Sequence, residues 1–119
     1  NLIKGGVLIT GIYDVHPVLD ISVNADIRLD ADAARRNSPM FLPPLHGGPI
    51  LAAVGGNEAG GWKQQTRDYV AMCLAGGHEC EFLELPGEDH FSLGTILADG
   101  ACPLVQAMLT QMERAEGAI

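Results

Sequence analysis

Ile50-Leu51-Ala52-Ala53-Val54-Gly55-Gly56-Asn57-Glu58 is the stretch that decides the fold of this 119-residue chain. An unbroken apolar run that halts at paired glycines reads as a strand buried on both faces, the kind found in parallel sheets. Upstream, Gly6-Val7-Leu8-Ile9-Thr10-Gly11-Ile12 has the same character and predicts another strand buried on both faces. Downstream, Cys80 to Leu85 predicts a third strand, which runs into the Pro86-Gly87 turn. Its Glu81 and Glu84 imply partial solvent contact near a sheet edge. Trp62, Thr66, Tyr69, Val70, Cys73 and Leu74 recur three and four apart, predicting a helix from about Gly61 to Ala75 with these residues on one face. Gly76-Gly77 supplies its left-handed stop.

The remainder is arranged around those strands. Tyr13 to Pro49 is a long, mostly polar excursion. Asp30 is placed to cap a short helix over 31–36, and Ser38-Pro39 to end it. Pro43-Pro44 and Gly47-Gly48-Pro49 mark loop. Ser92 is placed to cap a short helix through Ala98, and a last helix is predicted from Pro103 to Arg114. Strands joined through helices imply parallel pairing. The fold class is therefore α/β, with about three mainly parallel strands, flanking helices and an insertion after the first strand.

Size and charge narrow the function classes. A chain of this length holds one domain with a modest core. A formal net charge of −8 argues against nucleic-acid binding, which needs clustered Lys and Arg to neutralise phosphates. Cys73, Cys80 and Cys102 are odd in number, lack ligand spacing and sit among apolar residues. They read as buried free thiols of a reducing compartment, so a cytoplasmic protein is expected. No apolar run is long enough to span a bilayer. The chain starts at Asn1 rather than Met, so the true start is expected to lie upstream.

The chemistry centres on two residues. His90 follows the Pro86-Gly87 turn at the end of the third predicted strand, beside Asp89 and Phe91. Open α/β sheets keep their sites at that rim, and imidazole suits proton transfer near neutral pH. A histidine simply bonded to loop backbone is the plainer reading, but the position favours a general base. Glu58, just past the second predicted strand, would share the rim and could hold the imidazole in one tautomer. It could equally be an acid favouring a helix N-terminus.

Other chemistries lack their residues. No phosphate loop or dinucleotide fingerprint exists, because Gly61 is followed by Trp62-Lys63-Gln64. His16, His46, His78 and His90 are widely spaced, and Glu88 or Asp89 beside His90 does not fix a metal ligand set. Neither a metal nor a cofactor is expected. Ser22, Ser38 and Ser92 all lie outside a Gly-x-Ser-x-Gly turn, and no cysteine has an electropositive setting.

These blocks resemble the C-terminal part of α/β-hydrolases of the kynurenine formamidase and small-molecule esterase type. Gly11-Ile12-Tyr13-Asp14, Asn24, Leu29-Asp30 and Asn37-Ser38-Pro39 look like that family's segment after its sixth strand. Val54-Gly55-Gly56-Asn57-Glu58 with Gln65-Thr66-Arg67-Asp68-Tyr69 looks like its acid turn and following helix. Leu83-Glu84-Leu85-Pro86-Gly87 and Asp89-His90-Phe91-Ser92 look like its histidine loop.

The resemblance implies a single partial hydrolase domain over 1–119 with a cap-like insertion at 13–49. It also implies Glu58 as triad acid, His90 as triad base, and a serine nucleophile and oxyanion hole lying N-terminal to this region. The intact enzyme would hydrolyse an arylformamide or small carboxylic ester without a cofactor. The strand at 7–12 would then need its edge covered by the missing half or by a second copy. A non-catalytic assembly or binding module is the alternative, and recruitment of Ser92 or a cysteine as a new nucleophile is a third reading.

Overall fold

The computed structural model describes residues 2–45 and 47–117; His46 lies outside the described residues. Three strands, β1 (Gly6–Ile9), β2 (Ile50–Gly55) and β3 (Cys80–Leu85), form one parallel sheet in the order β1-β2-β3. Gly6 pairs with Ile50, and Ile50 with Cys80, so the three strands start level. Their C-terminal ends consequently open onto a common rim.

The excursion after β1 carries more local structure than its composition suggests. It holds 3-10 turns at His16–Asp20 and Pro39–Phe41 and two short helices, α1 (Asn24–Ile27) and α2 (Ala31–Arg36). The Asp30 carboxylate accepts from Ala33 N at 2.7 Å and caps α2 as expected. The excursion is closed on itself through Ser38. The Ser38 hydroxyl donates to Ala34 O at 2.7 Å and accepts from Val15 N at 2.9 Å.

The long helix α3 (Gly60–Ala75) connects β2 to β3 and ends at Gly77, whose φ of +80° supplies the left-handed stop. The His loop leads into α4 (Ser92–Thr95), a 3-10 turn at Ile96–Ala98 and α5 (Pro103–Gly117). The last helix therefore runs beyond Arg114.

The pleat of β2 divides the core into two layers, because successive side chains face opposite ways. Ala52 packs with Tyr13, Tyr69, Val70, Cys73 and Cys80 under α3. Leu51 and Ala53 pack with Leu85, Leu93, Cys102 and Leu104 on the α4–α5 side. The order is helix, sheet, helix.

Three expectations are corrected. β1 ends at Ile9 and is half-buried throughout, not buried on both faces, because it has a neighbour on one side only. Thr10 then turns the chain at φ +47°. Leu74 is 54% exposed: it lies a third of a turn past Cys73 and beyond the sheet-facing stripe. Ser92 does not cap the helix after the His loop. Asp89 does: its carboxylate accepts from Phe91 N and Ser92 N, and Ser92 Oγ accepts in return from Asp89 N at 2.8 Å.

Tyr13 stacks on Tyr69 with ring centroids 4.3 Å apart, and its buried hydroxyl has no hydrogen-bond partner among the described residues. Burial, with Tyr69, Cys80 and Cys73 adding to it, raises the Tyr13 pKa well above the ordinary phenol value. The hydroxyl is thus held neutral and unsatisfied. Tyr13→Phe removes that group at nearly constant shape and is expected to stabilise the fold by about 1 kcal/mol, read from the urea midpoint. A loss of stability would show that the hydroxyl does have a partner.

Candidate active site

Each strand delivers one residue to the shared rim: Thr10 just after β1, Glu58 after β2 and His90 after β3. The glycines at the end of β2 bring the loops together. Gly56 N donates to Leu85 O at 2.9 Å, and Asn57 N donates to Glu88 O at 2.9 Å. Asn57 Nδ2 adds a bond to Gly87 O at 3.0 Å, so the acid turn and the His loop form one stitched unit.

Glu58 is the buried member of the site, its side chain 2% exposed, whereas that of His90 is 45% exposed. One carboxylate oxygen of Glu58 accepts from Gly55 N at 2.6 Å. The other lies 2.9 Å from His90 Nδ1 and also accepts from the Thr10 hydroxyl. Thr10 Oγ1 is 2.7 Å from the same ring nitrogen.

These contacts fix the proton positions. An ionised carboxylate accepts only, and the single hydroxyl proton of Thr10 goes to Glu58. Nδ1 of His90 must then be the donor, shared between Glu58 and Thr10. In the neutral ring this tautomer leaves Nε2 without a proton, which is the state a general base needs.

Aromatic and turn contacts hold the imidazole laterally. Trp62, in the first turn of α3, meets the His90 ring edge-to-face with centroids 5.0 Å apart, and Phe91 meets it from another side at 5.6 Å. Trp62 Nε1 donates to Thr10 O at 3.2 Å, tying the indole to the end of β1. The Asp89 cap sets the path of the loop. Hydrogen bonds from the Ser92 and Phe91 backbones lower the pKa of its carboxyl. Because that value is depressed, the cap's contribution is present above the unfolded carboxylate range and is lost as the pH falls through the folded value.

Sequence reasoning names Glu58 and His90, and the structure brings them together. It misses Thr10, because nothing local marks a β-branched residue for the left-handed region, where such residues are outliers. Thr10→Val keeps the branched shape and removes the hydroxyl. It is expected to cost about 1.5 kcal/mol in thermal or denaturant unfolding, with recovery in Thr10→Ser. Equal stability of the Val and Thr forms would remove Thr10 from the network.

Among the described residues, neither Ser38, Ser92 nor a cysteine is offered to His90 as a nucleophile, and the Thr10 hydroxyl meets Nδ1 and is spent on Glu58. Ser38 is bonded within the excursion and Ser92 within the Asp89 cap. All three cysteines are buried and free, and burial, then the neighbouring Cys73, pushes the Cys80 thiol up to about 12. Among the described residues no group of three or more His, Cys, Asp or Glu side chains is arranged to hold a metal ion. No single described helix is long and apolar enough to cross a membrane.

A parallel sheet with an acid after one strand and a histidine after the next is the C-terminal layout of an α/β-hydrolase. No protein-family profile matches the chain. It is 34% identical over 116 residues to kynurenine formamidase of Salmo salar and 32% identical over 112 residues to that of Danio rerio. These matches take in 92% and 90% of this chain but 40% and 38% of the relatives, so the chain spans about two-fifths of their length.

Among solved structures, a protein described as a thioesterase from Silicibacter sp. superposes with a TM-score of 0.73 and 27% identity, over 87% of this chain and 38% of its own. Carboxyl esterase 2 of Tuber melanosporum superposes at 0.57 over 98% of this chain and 45% of its own; at 15% identity this shows the fold alone. The chain has the fold of the C-terminal part of an α/β-hydrolase and is a homologue of kynurenine formamidases over about two-fifths of their length.

Proposed function

We propose that this chain carries the acid and the base, Glu58 and His90, of a serine hydrolase acting on an arylformamide or small carboxylic ester. In this reading the serine and the oxyanion hole come from polypeptide N-terminal to Asn1. The observation that carries it is the 2.9 Å contact between His90 Nδ1 and buried Glu58, which leaves Nε2 free on the open rim. Nε2 would take the serine proton as Oγ attacks the carbonyl carbon, then return it to the departing amine or alcohol. Glu58 stabilises the imidazolium formed between those steps. Water repeats the sequence on the acyl-enzyme, and no cofactor takes part.

The open side of β1 is the natural seam for the other half. Beside it an apolar groove runs past Leu2, Val7, Met108 and Met112, the last 59% exposed. The nucleophile-bearing half, or failing that a second copy of this chain, would cover it, and the buried thiols suit a cytoplasmic setting. A stable monomer in sedimentation at micromolar concentration would count against a covered edge.

The test of function is the gene product that includes the upstream reading frame. A Gly-x-Ser-x-Gly segment there, labelled by a fluorophosphonate, together with turnover of formanilide or p-nitrophenyl acetate, is the expected result. An upstream frame without such a segment, and no turnover, would instead favour a non-catalytic binding or assembly module.

A further inference from the structure

A second feature of the rim is a cavity of about 290 Å³ beside Trp62, lined by Ile12, Pro17, Val18, Ile21, Ala59 and Trp62. Asp14 and Gln65 border it too, but the Gln65 amide and Asp14 Oδ1 are committed elsewhere. Gln65 Oε1 accepts from the backbone N–H groups of Tyr13 and Asp14, each at 2.9 Å, and its Nε2 donates to Asp14 O. The Asp14 carboxylate accepts from His16 N at 3.0 Å and pairs with His16 Nδ1 at 2.6 Å. Burial works against that carboxylate, but the His16 contacts outweigh it and hold its pKa below the ordinary value. What the cavity offers a ligand is therefore almost wholly carbon.

Resting on the hydrolase reading, we infer that this cavity seats an uncharged, ring-sized apolar group of the substrate against Trp62. Three observations converge. The indole that lines the cavity also meets the His90 ring, so the same side chain borders both the cavity and the base. The volume suits a single ring, since apolar cavities of about 150 Å³ already accept benzene. Ile12 and Ile21 are 47% and 54% exposed, leaving apolar surface that a flat ligand would remove from water. A carboxylate would lose its hydration there and meet the ionised Asp14 at the border instead of a donor.

Trp62 is the only tryptophan, so every change in indole emission arises at this side chain, which lines the cavity. The probe is formanilide, with N-formylanthranilate as the same ring bearing a carboxylate. Formanilide is expected to change Trp62 emission saturably, and N-formylanthranilate to bind about tenfold more weakly or worse. Ile21→Asp and Val18→Asp, both on the surface excursion, should each weaken formanilide by about tenfold or more with an unchanged far-UV spectrum. Nuclear Overhauser contacts between the anilide ring and the Val18 and Ile21 methyls should place the ring in the cavity without any substitution.

No saturable change, equal binding of the carboxylate analogue, or retained binding in both Asp variants overturns the assignment. The hydrolase reading fails separately. Formanilide bound as expected, but with completed-enzyme turnover indifferent to His90, would leave the cavity standing and the reaction wrong. His90-dependent turnover without binding here would do the reverse.

Discussion

His90→Ala in the hydrolase completed by its serine-bearing segment is expected to lower kcat by about four orders of magnitude or more, with KM changed only a few-fold. The size follows from the geometry. With Nδ1 committed to Glu58 and Thr10, Nε2 is the only ring nitrogen available to the nucleophile. Alanine removes the base for attack and the acid for leaving-group departure at once, so both halves of the acyl-transfer cycle suffer. Glu58→Gln should fall almost as far, by about 10⁴ in kcat, because an amide presents a donor and lets the ring settle in the wrong tautomer. The chain by itself is expected to hydrolyse p-nitrophenyl acetate only as a surface imidazole does, with His90→Ala close to wild type. Single-turnover and steady-state assays on the completed enzyme decide the matter. A His90→Ala form within tenfold of wild type would end the catalytic reading and leave a binding module.

The parts of this site legible in the sequence are those announced by strand ends. β2 and β3 fall where their apolar runs meet Gly55-Gly56 and Pro86-Gly87, so the sequence alone puts Glu58 and His90 on one rim. β1 reads too long because Gly11 and Ile12 continue the apolar pattern. Its end is set by the backbone of Thr10, which has no compositional signature. The cap on the His loop is ambiguous in sequence because Asp89 and Ser92 are both good capping residues. Their three-residue separation, with reciprocal bonds, makes the earlier one the cap. Trp62 shows a different limit. Its helical spacing marks a core-facing residue, but its contact with His90 depends on where α3 begins relative to two loops distant in sequence. Periodicity reports which face is buried, not what else that face touches.

Gly55→Ala is expected to cost about 3 kcal/mol of stability and about 10²-fold in turnover, although it adds only one methyl group. Gly55 is buried at the end of β2, and a Cβ there would sit 2.3 Å from Glu88 O and 2.8 Å from Glu88 C. Those are backbone atoms, so no rotamer change relieves the clash. The His loop or the end of β2 has to move by something on the order of 1 Å, the displacement that costs well-placed catalytic groups about two orders of magnitude. Movement in either direction strains the bonds that stitch the loops, Asn57 N to Glu88 O and Gly56 N to Leu85 O. It also disturbs the Gly55 N–H that holds the Glu58 carboxylate at 2.6 Å. The His90 Nδ1–H resonance should therefore move or broaden even in the chain alone, and the urea midpoint should drop. In Gly76→Ala the nearest contact is the His78 ring at 3.3 Å, a side chain that can shift, and that variant should leave the resonance untouched. A Gly55→Ala chain with wild-type stability and an unshifted His90 signal would mean that the two loops are not in register as described.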